Sequence, residues 1–263
     1  MKIVQVKKMK KNYKVLFDSG DELIASEDFL IMAHLFKDQE FTEEEFHALQ
    51  AQSGYDRGVQ LAMNYISYQL RTKKEVDQYL KEQEFSSEDR PKILTRLIEL
   101  RLIDDRFYAE SFVRTQLSLG DKGPKQLKQK MKQKGLDDET IEYGLTFYTK
   151  DDELDLAQVV ALKLNKRIHH KSYRERLQKI RMGLMQKGYD TSIIEQVMQQ
   201  ISLELDEEEE TVALEKTGEQ LLRRHARLPL AKREQKVKQS LYTKGFSLEA
   251  IQIFLEKERE NEE

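Results

Sequence analysis

The sequence predicts a mainly α-helical protein: four tandem three-helix repeats in an elongated, curved array, behind a small N-terminal α+β head. Three observations predict it. KGLD at 134–137, KGYD at 187–190 and KGFS at 244–247 are near copies, and each glycine is followed six positions later by an isoleucine, Ile141, Ile194 and Ile251. The glycines are spaced by 53 and 57 residues, a period that belongs to repeated supersecondary units. The first 57 residues lack this pattern and read as short strands and helices instead.

In the head, residues 1–57, IVQV, NYKVLF and ELIA read as strands, with DSGD as the turn between the last two. SEDFLIMAHLF then reads as a helix with Ser26 as its N-cap. FTEEEF opens another, with Thr42 and Glu45 as a capping box. The repeats are assigned to residues 58–103, 104–152, 153–205 and 206–263, the last including an acidic tail. Their first helices are VQLAMNYISYQL, RFYAESFVRTQL, LDLAQVVALKL and VALEKTGEQLL. Second helices follow from apolar pairs at helical spacing: Leu127/Met131, Tyr173/Leu177/Ile180/Leu184 and Val237/Leu241. KILTRLIEL, TIEYGLTFY, IIEQVMQQISLEL and EAIQIFLEKE supply the third helices.

The repeated tetrapeptide reads as helix stop, tight turn, helix start. Glycine takes the left-handed position after a helix, the next apolar residue packs back on the last turn, and lysine suits the negative end of the dipole. The following Asp or Ser caps the next helix. Gly135, Gly188 and Gly245 are therefore structural turns with positive φ. A phosphate-cradling loop would need more glycines and a preceding strand. Fifty-one residues before Gly135 stands Glu84, in EQEFSS, where Phe85 and Ser86 still match. That turn is longer and contains Pro91, so Glu84 is expected to be exempt from the left-handed conformation.

Charged residues make up 35% of the chain and hydrophobic ones 38%, which suits thin cores and many solvated faces. The absence of cysteine excludes disulfides, thiolate nucleophiles and Cys-ligated zinc. The N-terminus has no apolar stretch of signal-peptide length and no run could span a bilayer, so a cytoplasmic protein without a membrane role is expected.

Chemistry has few candidates. Asp104 and Asp105 in LIDDRFYAESFVRT could bind Mg²⁺ as adjacent carboxylates, the basis of a nuclease reading. Acids recur at the same place in later repeats, Asp151 to Glu153 and Asp206 to Glu208, where carboxylates cap the start of a helix. Asp104 and Asp105 are read as helix caps on that ground. His169 and His170 lie in a basic run, and His34, His47 and His225 are isolated. No catalytic residue, metal site or cofactor is expected.

The net charge of −3 conceals segregation. Residues 121–134 hold six lysines against one Asp, residues 163–187 nine Lys or Arg against one Glu, and residues 223–244 eight against one Glu. Lys125, Lys128 and Lys132 share one helical face away from Leu127 and Met131. Arg174 and Arg181 repeat that placement with Lys171 and Arg176 beside them. Lys232 and Lys236 repeat it again, preceded by Arg223, Arg224 and Arg227. Three blocks on the same helix of successive repeats predict a surface for a polyanion or an acidic groove.

The segment LIDDRFYAESFVRTQLSLGDKGPKQLKQKMKQKGLDDETI resembles the central signature of the RecX family, regulators of the RecA recombinase. The likeness lies in the Leu-Ile-Asp-Asp start, Tyr108-Ala109, Phe112 with Arg114, Gly123, and Lys134-Gly135. AMNYISYQLRTKKEVDQYL, Ala62 through Leu80, resembles the family's first helix pair. The match is specific over residues 58–141, looser beyond, weakest in the head, and its length is that of the longer Gram-positive-type members. Glu84 stands where the family usually has Gly, and Gln69 lies in YQLRT, where an arginine is common. The resemblance implies a non-enzymatic, monomeric regulator in DNA repair and the SOS response. It would lie along the RecA–DNA filament, inhibit its ATPase, recombinase and coprotease activities, and bind single- and double-stranded DNA more weakly. A helical-repeat nucleic-acid binder acting without a recombinase is the alternative.

Overall fold

A computed structural model describes residues 1–10, 12–201 and 206–262. The chain gathers into two compact units, Met1–Ser111 with Met131–Tyr143, and Phe112–Lys130 with Gly144–Glu263.

The first unit begins with an antiparallel meander of β1 (Ile3–Lys8), β2 (Tyr13–Phe17) and β3 (Glu22–Ala25), in that order across the sheet. Alternation turns Val15, Phe17, Leu23 and Ala25 to one face, where they join Ile3, Phe29, Leu30, Leu35 and Phe46 in a core. The Phe17 and Phe46 rings meet edge to face, with centroids 4.8 Å apart. Ser26 caps α1 (Glu27–Met32) by accepting from the Phe29 N–H at 3.0 Å. This helix is shorter than SEDFLIMAHLF suggests. His34 adopts φ +49° and Leu35 donates back to the Leu30 carbonyl, a turn that folds fully buried Leu35 into the core.

Helix α2 (Glu43–Ser67) starts at the Thr42–Glu45 capping box and runs unbroken for 25 residues from the head into the first repeat. The division expected at residue 58 therefore falls inside a helix. Gly58 does not interrupt it. A Cβ there would stand 2.3 Å from Ile93 Cδ1, so the missing side chain lets two helices cross closely. With α3 (Lys73–Glu82) and α4 (Asp89–Glu99), α2 encloses Ala62, Val76, Leu80, Ile93, Leu94, Leu97 and Ile103.

The second repeat consists of α5 (Asp105–Leu119), α6 (Pro124–Gln133) and α7 (Asp138–Leu145), and the division between the compact units passes through all three. The second unit continues with α8 (Lys150–Asn165), α9 (Tyr173–Gln186) and α10 (Thr191–Gln200) around Ala157, Ala161, Ile180, Leu184, Ile194 and Val197. The end of the expected helix IIEQVMQQISLEL, residues 202–205, lies outside the described residues. Helices α11 (Glu207–Arg224), α12 (Leu230–Thr243) and α13 (Leu248–Glu262) enclose Leu214, Val237, Leu241, Ile251 and Phe254. Gly218 repeats the device of Gly58, since its Cβ would stand 2.3 Å from the Phe254 ring.

Gly135, Gly188 and Gly245 have φ of +86°, +85° and +97°. Leu136, Tyr189 and Phe246 each donate to the carbonyl five residues earlier, Met131, Leu184 and Leu241, which closes a Schellman turn. The expectation for Glu84 is corrected. Its φ is +65°, and Phe85 donates to Leu80 at 3.1 Å, so the first repeat makes the same turn without glycine. The helix ending there needs the same carbonyls satisfied, and Pro91 lies beyond the turn in α4. Among the described residues no helix is long and apolar enough to cross a membrane.

Candidate functional site

The second helix of each of the first three repeats, α3, α6 and α9, receives the turn of the following repeat at its N-terminus. Thr72 caps α3 by accepting from the Glu75 N–H, while its hydroxyl donates to the Lys134 carbonyl at 2.8 Å. At the start of α6, the Gly123 N–H donates to the Lys187 carbonyl at 2.8 Å, and the Lys125 N–H donates to the Gly188 carbonyl at 3.1 Å. Ser172 caps α9, and its hydroxyl donates to the Lys244 carbonyl. The fit is close. A Cβ on Gly123 would lie 2.6 Å from the backbone of Gly188, and one on Gly188 would lie 2.5 Å from the Gln126 nitrogen. In the fourth repeat the position belongs to Pro229, which offers neither a hydroxyl nor an N–H.

Carboxylates reinforce these joints. Asp105 accepts from the Lys73 N–H at 2.8 Å and Glu210 from the Tyr173 N–H at 2.6 Å, each serving the first residue of a neighbouring repeat's second helix. Pro124 removes that donor from α6, and Glu153 accepts instead from the Asp190 N–H at 3.1 Å. Burial raises the pKa of all three carboxyls above the usual value. Asp104 caps its own helix, accepting from the Phe107 N–H at 3.0 Å. Asp105, expected to do the same, caps α3 because its side chain turns toward Lys73. The cleft beside the two acids, about 380 Å³, is also lined by Lys73, Arg101 and Arg106, which are cations and not metal ligands. Among the described residues no group of three or more His, Asp or Glu side chains could hold a metal ion.

Helices α6, α9 and α12 carry Lys125, Lys128 and Lys132, Arg174 and Arg181, and Lys232 and Lys236 opposite buried Leu127 and Met131, Ile180 and Leu184, and Val237 and Leu241. Lys171 precedes α9, Arg223 and Arg224 end α11, and Arg227 follows it. Several are paired. Lys125 reaches Asp190 at 3.0 Å and Lys132 reaches Asp138 at 2.8 Å. Asp190 is held down to about 2 by the Ser192 N–H and by Lys125. Lys128 is half-buried. Lys171 lies 3.4 Å from Glu175, Arg181 2.9 Å from Glu195, and Arg223 3.3 Å from Glu219.

Arg176 does not face outward. It pairs with Glu209 at 2.9 Å with its side chain 11% exposed, and lies over the Tyr173 ring, because the excess acid at the start of α11 draws it inward. Arg174, Arg224, Arg227, Lys232 and Lys236 are exposed. Arg174 lays its stem against Gly245. Sequence reasoning missed the joint residues Thr72 and Ser172, and named Gly123 only in the family likeness without its role in the joint. Their signal was a small or hydroxyl residue immediately before each second helix.

Comparison with known proteins now identifies the family. The model of the RecX first three-helix domain matches residues 59–97, that of the second matches 104–145, and that of the third matches twice, at 151–198 and 207–255. A regulatory protein RecX from Enterococcus faecalis is 47% identical over 263 residues, covering 99% of both chains. One from Levilactobacillus brevis is 35% identical, covering 96% of this chain and 95% of the relative. A crystal structure of regulatory protein RecX superposes with a TM-score of 0.63 at 33% identity, covering 76% of this chain and 99% of the other. A RecX structure from Lactobacillus salivarius gives 0.54 at 39% identity, over 57% and 97%. The third-domain model matches a second time over the fourth repeat, and with models matching in all four repeats the chain belongs to the RecX family of regulatory proteins.

Proposed function

We propose that this chain binds the filament that the RecA recombinase forms on DNA, and restrains its ATPase, recombinase and coprotease activities without a catalytic activity of its own. The observation that carries the reading is the recurrence of one basic outer face on α6, α9 and α12 in a chain of this family. A filament offers an acidic, repeating lattice, and a chain of like units can engage it at several points. The ion pairs on these faces are exposed and worth about 0–1 kcal/mol each, so a phosphate or an acidic side chain can exchange for the internal partner. The protein acts as a cytoplasmic monomer, and binding to bare single- or double-stranded DNA is weaker and falls steeply with salt.

The structure sharpens the test. Lys125 and Lys132 are already paired, whereas Lys232 and Lys236 have no carboxylate partner among the described residues. Charge reversal at Lys232 and Lys236 should therefore weaken filament binding more than reversal of Lys125, Lys128 and Lys132. Adding reversal at Arg174 and Arg181 to the latter set should weaken it further. Wild type and variants are titrated against RecA filaments and bare single-stranded DNA at two salt concentrations, with ATPase and strand exchange as readouts. Loss on bare DNA alone would favour a nucleic-acid binder acting without a recombinase. No loss on either would reduce the basic faces to solvated surface.

A further inference from the structure

The joint between the third and fourth repeats holds a cleft that lies off the outer faces of α9 and α12. It is about 230 Å³ in volume, below the roughly 300 Å³ at which pockets for drug-sized ligands begin. His169, His170, Lys171, Lys216, Arg224 and Lys244 are among the residues that line it. Among the described residues no carboxylate lines it and no acid pairs with Lys216, Arg224 or the Lys244 ammonium, while Lys171 alone has a carboxylate nearby, Glu175 at 3.4 Å. So many cations in one concavity repel one another unless an anion sits among them.

The preceding joint supplies an internal control. Its cleft is built from the equivalent positions: Arg167 for Arg224, Lys187 for Lys244, and Lys122 for Lys171. Two residues before the N-cap of the second helix stands Asp121 in that joint and His170 in the later one. The Asp121 carboxylate is bound by the Lys187 ammonium, so the earlier cleft carries its own counter-ion. The later cleft keeps three of these cations in Lys171, Arg224 and Lys244, has Gln220 where the earlier one has Lys163, adds Lys216, and has replaced the acid.

We propose that the cleft between the third and fourth repeats binds a phosphate group, which takes the place that the Asp121 carboxylate fills in the preceding joint. An arginine fork with several ammonium groups suits a multiply charged oxyanion better than a single carboxylate. The phosphate belongs either to a nucleic-acid strand or to a free phosphate compound, and the site requires no recombinase.

The full-length chain is titrated with inorganic pyrophosphate by calorimetry, alongside His170→Asp and the double variant Lys216→Gln/Arg224→Gln. His170 has φ +55°, a conformation Asp tolerates, so the first variant installs the acid without straining the turn. Wild type should bind one pyrophosphate saturably, and both variants should bind about tenfold more weakly with unchanged helicity and melting. A single-stranded oligonucleotide that displaces pyrophosphate identifies a strand as the source, and failure to displace it identifies a free phosphate. Absence of saturable binding to wild type, or wild-type affinity in either variant, overturns the proposal. Charge reversal at Lys232 and Lys236 should leave pyrophosphate binding intact while weakening the filament, which separates failure of this site from failure of the function proposed above.

Discussion

The hydroxyl of Thr72 donates to the carbonyl of Lys134 at 2.8 Å, across a sequence separation of 62 residues, while the same oxygen accepts from the Glu75 N–H. One fully buried oxygen thus caps a helix and holds the turn of the next repeat. Ser172 makes the same pair of bonds, to the Glu175 N–H and the Lys244 carbonyl. Gly123 reaches the same end with its backbone N–H. Pro229, at the same position in the fourth repeat, can do neither.

Thr72→Val keeps the volume and removes both bonds. The lost cap and the stranded carbonyl together should cost about 2 kcal/mol. Thr72→Ser should stay close to wild type. Urea denaturation of the three proteins reads this directly, and equal midpoints for wild type and the Val variant would show that the joint does not depend on this hydroxyl.

The four turns give a prediction of opposite signs. Gly188→Val forces a β-branched residue into φ +85° and drives its Cβ toward the Gln126 nitrogen, so it should destabilise by 2 kcal/mol or more, taking roughly 1–2 kcal/mol from the left-handed backbone alone. Glu84 already bears that strain at φ +65°. Glu84→Gly should therefore stabilise the first repeat by about 1 kcal/mol, less what the freer unfolded chain takes back. Thermal melting of both variants checks the pair.

Much of this fold was legible because its punctuation is local. Ser26, the Thr42–Glu45 box and the Lys-Gly turns act within a few residues of themselves, so sequence alone exposes them. The joints were not legible. That Thr72 meets Lys134, or that Asp105 serves Lys73 and not its own helix, depends on where the next repeat folds back. Glu84 escaped for a related reason: tertiary demand for the turn overrides a residue's own preference. The basic blocks could be seen, but the pairs of Lys125, Lys132 and Arg181 could not, because Asp190, Asp138 and Glu195 lie on other elements. Arg176 shows the consequence, since spacing placed it beside exposed Arg174 and packing turned it inward.

The three joint carboxylates make stability depend on pH in an unusual direction. Asp105, Glu153 and Glu210 are each pushed up first of all by burial, which penalises the charged form, while the N–H groups they accept from oppose that shift only in part. A carboxyl whose folded pKa exceeds its unfolded value binds its proton more tightly in the folded state. Its favourable contribution is complete below the ordinary value, 3.8 for Asp and 4.5 for Glu, and is lost as pH rises through the raised folded value. Asp121, Asp137, Asp190 and Glu234 are lowered and act oppositely, favouring the fold above the ordinary range. The total pH profile therefore mixes both signs, and only a difference isolates the joints. The triple variant Asp105→Asn/Glu153→Gln/Glu210→Gln retains an amide oxygen to accept each N–H but cannot ionise. Its stability relative to wild type should rise as pH increases from about 4 through the raised values, and level off above them. Chemical denaturation of both proteins at a series of pH values measures this. A flat difference would mean that these carboxyls are no harder to ionise in the folded joints than in the unfolded chain.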